Sequence, residues 1–361
     1  MAFDPIQEDC LRLVLANMER DHVQLAEDPL YIEHASDIYR TDPSPLIKTD
    51  RERSFHLTAK ATEIIDYQAV FAPSEAEVEA QFTTAEDYLR EAIELDANNW
   101  DAQRMLTTLQ SDSDDTLISY LLDHCDEVAN GASSLIASAS NPYEAEFARD
   151  LGRRPYERWI AMLASRLLIA GQYRLALTYA ETGLAVNPID LAGIRHTGML
   201  ALAKLEVEPE ELQRYRSRHA LAYQLPAQGA SRRSHTGGHK PDAWSLIAQM
   251  SLAYRSFDFA KATSALRTIM RVYPHAAQPL YFQAEFPDGV FARVHVQPGS
   301  EDELVLALSE ATPLLQEGMG TPDSASFALW IAEHELVQRA LDNRDLATHP
   351  EGRGTGAGGE L

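Results

Sequence analysis

The sequence predicts an all-α protein made of stacked antiparallel helix pairs, and three observations carry that expectation. Leucine and alanine recur at spacings of three and four along nearly the whole chain, which lines one face of a helix with apolar side chains. Runs of alternating β-branched residues, the mark of a half-buried strand, are scarce. A cadence of small break, aromatic residue, alanine and then proline twelve residues later occurs at "AGQYRLALTYAETGLAVNPID", 170–190, and returns at "SFDFAKATSALRTIMRVYP", 256–274.

The elements follow in order. "IQEDCLRLVLANMER" gives a first amphipathic helix. "DPLYIEHASDIYRTDPSPLIKTDRER", 28–53, is broken by prolines and charges and reads as an irregular connection with short helices. Residues 74–110 give two helices, with Asp96 to Asn99 supplying the local hydrogen bonds of the turn between them. "SDSDDTLISYLLDHCDEVANG" gives another, starting at Ser113 or Asp114 and ending at Gly131. The helical pattern is strong from Arg153 to Val207. The glycines, prolines and polar residues of 223–242 then predict a long surface loop. Helices resume at 243, "FPDGVFARVHVQPGSEDE" is the one candidate for a brief extended segment, and a last helical pair covers about 301–340. The expected organisation is therefore an N-terminal helical segment with an irregular connection (1–75), degenerate repeats (76–150), regular repeats (151–222), the loop (223–242), a further repeat with C-terminal helices (243–340) and a disordered tail (341–361).

Composition narrows the function. At 361 residues and 45% hydrophobic, the chain can bury a sizeable core. Its 55 acidic against 31 basic residues give a formal charge of −24, which repels phosphate backbones and argues against a nucleic-acid partner. Cys10 and Cys125 are too few for a disulfide framework or a zinc cluster. Cys125 follows His124 within a helical pattern and is expected to be structural. "MAFDPIQEDC" has neither the basic start nor the apolar core of a signal peptide. The most apolar stretch, "WIAMLASRLLIAG", is too short for a bilayer. A cytoplasmic protein without a membrane partner is the expectation.

Each part of the cadence has a job in a helix–turn–helix unit. Gly171 permits the tight turn between paired helices. Ala176 and Ala262 let the second helix approach the first, Tyr173 and Phe259 fill the space beside that contact, and Pro188 and Pro274 stop the second helix. A weaker copy has Ala85 and Ala97, with alanine where the proline would stand. The pattern resembles the tetratricopeptide repeat, with Leu163, Ala164 and Leu167 in the first helix, Trp159 one residue early, and Ala180 and Leu266 replacing the aromatic of the second helix. Because the copies do not fall at multiples of 34 residues, longer loops and degenerate units must lie between them. One helix pair buries a single face, so several must stack to share a core.

"RRPYERWIAMLASRLLIAGQYRLAL" and "AVNPIDLAGIR" are also similar to bacterial tetratricopeptide-like proteins related to the suppression-of-tumorigenicity family, where Arg-Pro-Tyr leads into a repeat ending Asn-Pro-x-Asp and Gly-Ile-Arg. Here these are Arg154-Pro155-Tyr156, Asn187-Pro188-Ile189-Asp190 and Gly193-Ile194-Arg195. "YPHAAQPLYF" and "PGSEDELV" resemble further elements of that family, so the likeness spans about 80–320. The resemblance implies a tetratricopeptide-like α-solenoid serving as an interaction scaffold, and brings no catalytic residues.

No chemical motif competes with that reading. "GTGAGG" in the tail follows no strand and opens no helix, and no phosphate loop occurs. His334-Glu335 lacks the second histidine of a zinc-protease helix, and His235 and His239 sit in a glycine-rich loop with no helix to hold them. Arg232, Arg233 and Lys240 make that loop locally basic and are expected to stay solvated. No cofactor, metal or catalytic set is expected. A repeat scaffold binds on its concave face, lined by the first helix of each pair. Phasing on Gly171 places Arg158, Ala161 and Ser165 there, followed by Arg195 and His196 and, in the later unit, Trp244 and Tyr254. Such basic residues would favour carboxylates of a bound protein or peptide; the alternative is that Arg158 and Arg195 pair with acids between helices. A helical enzyme and an oligomerisation module are the competing functions.

Overall fold

The computed structural model describes residues 4–23, 28, 30–224, 241–282, 296–316 and 326–342, and these are helices and turns with no strand among them. Most of the predicted loop at 223–242, the core of the candidate extended segment, His235, His239, Arg232, Arg233, Lys240 and nearly all of the tail lie outside the described residues. The described chain divides into two units, one ending at Gly198 and the other beginning at Met199.

In the first unit the helices are α1 (Pro5–Asp21), α2 (Tyr31–Thr41), α3 (Asp50–Glu63), α4 (Glu75–Leu95), α5 (Trp100–Gln110), α6 (Asp114–Ser138), α7 (Pro142–Phe147), α8 (Arg154–Ile169) and α9 (Tyr173–Val186), and α10 (Ile194–Lys204) spans the division. Polar caps start them: Thr49, Ser74, Asn99 and Ser113 each accept a hydrogen bond from a backbone N–H in the first turn. Helix α3 packs on α4, α4 on α5, both α5 and α6 on α8, and α8 on α9. Trp159 is fully buried at the α6–α8 contact and donates its indole N–H to the Leu121 carbonyl at 2.9 Å.

The second unit holds α11 (Pro209–Arg218), α12 (Ala243–Arg255), α13 (Phe259–Val272), α14 (Ala277–Tyr281), α15 (Glu301–Glu310), α16 (Thr312–Leu315), α17 (Ser326–Glu333) and α18 (Glu335–Asp342). Helix α12 packs on α13 and on α15. Glu303 ties this core together, accepting from the Tyr273 hydroxyl at 2.8 Å and the Ala243 N–H at 3.1 Å.

The repeated cadence corresponds to the same local structure twice. Ala176 and Ala262 are both fully buried where α9 meets α8 and α13 meets α12, and Ala85 is fully buried on α4. Gly171 has φ +78° and closes α8 with two bonds, Gln172 N–H to the Leu167 carbonyl and Gly171 N–H to that of Leu168, the paired pattern of a left-handed helix end. Asp258 to Ala253 and Phe257 to Tyr254 repeat that pattern after α12, but the left-handed residue there is Phe257, at φ +60° and 80% exposed.

One expectation is met in part and two need correction. The stretch 28–53 contains α2, a short 3₁₀ turn at Ser44–Leu46 and the start of α3. Two of its prolines, Pro43 and Pro45, sit at that turn, Pro29 lies outside the described residues, and Asp50, Arg51 and Arg53 occupy exposed helix positions. Gly131 does not end α6, which runs on to Ser138, because the following "ASSLIA" sustains the apolar face at a cost of about 1 kcal/mol for an interior glycine. The last helical pair is four short helices, α15 to α18.

Candidate functional site

A cavity of about 370 Å³ lies among α3, α5 and α8. Side chains three and four residues apart share a helix face, so each helix contributes a short stripe: Thr58 and Thr62 from α3, Met105 and Thr108 from α5, Ala161 and Met162 from α8. The threonine hydroxyls donate back to carbonyls four residues earlier, at 2.7–3.0 Å for Thr58, Thr62 and Thr108. The walls therefore present methyl groups, thioethers and hydroxyl lone pairs.

One end of the cavity is charged. Glu8 of α1, whose side chain is fully buried, accepts from Arg12 Nε at 2.7 Å, from Arg154 at 3.0 Å and from Arg158 at 3.2 Å. Arg158 also grips Asp101 with two parallel bonds, Nε to Oδ1 at 2.7 Å and a terminal nitrogen to Oδ2, the fork geometry that suits a carboxylate. Arg12 donates in addition to the Leu151 carbonyl at 2.7 Å and lies 3.9 Å over the Phe55 ring. Burial alone would raise the Asp101 carboxyl, but Arg158, then Arg104 and Arg12, outweigh it and hold it at about 2. Glu8 is lowered in the same way against its own burial, by Arg158, Arg12 and Arg154. Burial pulls on Arg158 too, yet Asp101 and Glu8 raise it above its ordinary value.

Arg104 differs. Its side chain is 11% exposed, its single bond to Asp101 is long at 3.3 Å, and another terminal nitrogen points at the Met162 thioether, at 3.9 Å. Its Nε is buried with no acceptor. Burial lowers Arg104 below the ordinary guanidinium value, and the partial attraction of Asp101 does not restore it. Beside this cluster, Asp9 accepts from the Tyr39 hydroxyl at 2.7 Å and bonds His56 Nδ1 at 2.6 Å.

The residues the sequence singled out divide among these surroundings. Arg158 and Ala161 line the cavity; Ser165, a turn further along α8, is partly exposed and outside its walls. Arg195 is held by Asp190, whose carboxylate accepts from the Arg195 side chain at 2.9 Å and from the N–H groups of Ile194 and Arg195 at 2.8 and 2.9 Å. His196 is buried. In the second unit, Trp244 is buried and donates to Glu310 at 2.7 Å. Tyr254 packs with its ring centre 5.7 Å from Phe259, 5.1 Å from Phe327 and 5.4 Å from Trp330. Both arginines thus have internal acidic partners. Sequence reasoning missed Glu8, Arg12, Asp101 and Arg104, and all of α3, and read Arg154 only as part of a motif. For α3 a signal was present: Thr49 and Glu52 form a capping box in which each side chain meets the other's backbone N–H.

Cys125 is buried and its thiol is pushed up, by burial first and then by Asp126. Among the described residues no group of three or more His, Cys, Asp and Glu side chains could hold a metal ion, and no helix is long and apolar enough to cross a membrane. Comparisons with protein-family models, with curated proteins and with solved structures find no match.

Proposed function

We propose that the protein is a non-catalytic, tetratricopeptide-like scaffold of the cytoplasm that holds a protein or peptide segment in a groove of stacked helix pairs. The observation that carries this reading is the cavity shared by α3, α5 and α8; in this reading they are the first helices of the pairs α3/α4, α5/α6 and α8/α9, and α3 packs closely on α4 as α8 does on α9. In a repeat scaffold the first helix of each pair faces the ligand, and the interlocked Ala85, Ala176 and Ala262 fit the small-residue position of such pairs. Arg158 acts here through the ion cluster it organises, and the groove offers Thr108, Leu109 and Ala161 for direct contact.

Affinity capture from native cells identifies candidate partners, and binding is then measured between purified proteins. Leu109→Glu with Ala161→Glu places two carboxylates on the groove wall. The reading predicts at least a tenfold loss of binding with helicity unchanged. Unaltered binding would reject the groove as the contact surface.

A further inference from the structure

The charge pattern inside the cavity leads to a ligand that the scaffold reading does not supply. Four guanidiniums, those of Arg12, Arg104, Arg154 and Arg158, surround this end of the cavity. They meet three carboxylates, Glu8, Asp66 and Asp101, while Arg153 and Glu157 form a pair of their own at 2.9 Å. Among the described residues, with Asp9 set apart on Tyr39 and His56, these groups leave one positive charge over, in a chain whose net charge is −24. It belongs with Arg104, whose buried Nε has no acceptor and whose bond to Asp101 is the longest of the cluster's arginine–Asp101 bonds. Buried polar groups are almost always satisfied, so an acceptor beside Arg104 is the missing part. The Met105, Met162 and Ala161 walls are apolar, and thioether side chains adapt to irregular apolar shapes.

We propose that this cavity binds a small organic monocarboxylic acid, its carboxylate on Arg104 and its compact apolar body between Met105, Met162 and Ala161. One negative charge balances the cluster. A phosphate monoester, at about −1.5 to −2 near neutral pH, would overshoot it. The planar fork of arginine matches a carboxylate, and a volume of about 370 Å³ is at the small end of ligand pockets. The inference rests on the cavity and its charges, and stands whether or not a polypeptide binds at the groove.

The test is calorimetric titration of the full chain with 3-phenylpropanoate and with its neutral isostere, 3-phenylpropanamide. The acid is expected to bind with a dissociation constant on the order of 10–100 µM, and the amide at least about tenfold more weakly. Arg104→Met is expected to abolish the preference for the acid, because Asp101 keeps its two bonds to Arg158. Ala161→Leu, which fills the cavity from the α8 wall, should weaken both compounds. Absence of saturable binding up to about 5 mM, equal binding of acid and amide, or full acid affinity in Arg104→Met would each overturn the proposal. If Arg104→Met fails to fold, the acid–amide comparison and Ala161→Leu still decide. Failure of protein capture with acid binding intact would reject the scaffold reading alone.

Discussion

Replacing Arg158 with methionine should destabilise the first unit strongly. The substitution keeps the apolar stem and removes the fork that grips Asp101. Glu8 would retain Arg12 at 2.7 Å and Arg154 at 3.0 Å, whereas Asp101 would be left with the 3.3 Å contact to Arg104. Its side chain is 4% exposed, so a nearly unpaired carboxylate would be trapped away from water. Breaking one partner of a buried pair costs about 3–5 kcal/mol, and the retained partner Arg104 sets the expectation at the lower end, about 3 kcal/mol. The pH dependence gives a second handle. Native Asp101 is depressed from 3.8 to about 2, so its pairing contributes stability above pH 4 that is lost as pH falls from 4 towards 2, roughly 2 kcal/mol. In Arg158→Met that carboxyl should rise instead, and the penalty should shrink as acid neutralises it. Urea unfolding at pH 7 and pH 4.5, followed by the fluorescence of Trp100 and Trp159 with Trp244 and Trp330 replaced by phenylalanine, measures both. Asp101→Asn added to Arg158→Met should recover part of the loss. A cost below about 1 kcal/mol at pH 7, or a penalty independent of pH, would show that Arg158 does not hold Asp101 in its charged form.

Other substitutions test the hairpins and the thiol. Phe257→Gly should stabilise the second unit by about 1 kcal/mol in urea melts, because it relieves a bulky left-handed residue that is 80% exposed. Gly171→Ala should do the reverse in the first unit, by about 1 kcal/mol, at φ +78°. Ala176→Leu and Ala262→Leu should each destabilise by roughly 1–3 kcal/mol, since both alanines are fully buried between paired helices. Cys125 should resist iodoacetamide at pH 8 under native conditions and react on unfolding, by mass spectrometry, because burial raises its thiol.

What was legible in the sequence was local. The alanines of the hairpins, the proline stops and the glycine turn at 171 act within a few residues of themselves, and helix period reveals which face they occupy. Asn187 and Asp190 read as a motif and turn out to have jobs of that kind, Asn187 accepting from the Ile189 N–H at 3.1 Å and Asp190 capping α10 while holding Arg195. The ion cluster was not legible, because its bonds join Arg158 to Glu8 and Asp101 across long stretches of chain. Nothing in a helix pattern distinguishes a carboxylate that meets water from one that a distant arginine buries. For the same reason Glu8 read as part of an ordinary amphipathic face. Helix α3 was obscured by the prolines just before it, although its capping box marks its start.

Site-specific photo-crosslinking separates a partner held in the groove from one held on the outer helices. A benzoyl-phenylalanine placed at Thr108, on the groove wall, is compared with one at Arg174, exposed on the second helix of its pair. With a purified partner, the account predicts attachment from position 108 and little from 174. Equal attachment from both positions, or attachment from 174 alone, would contradict it.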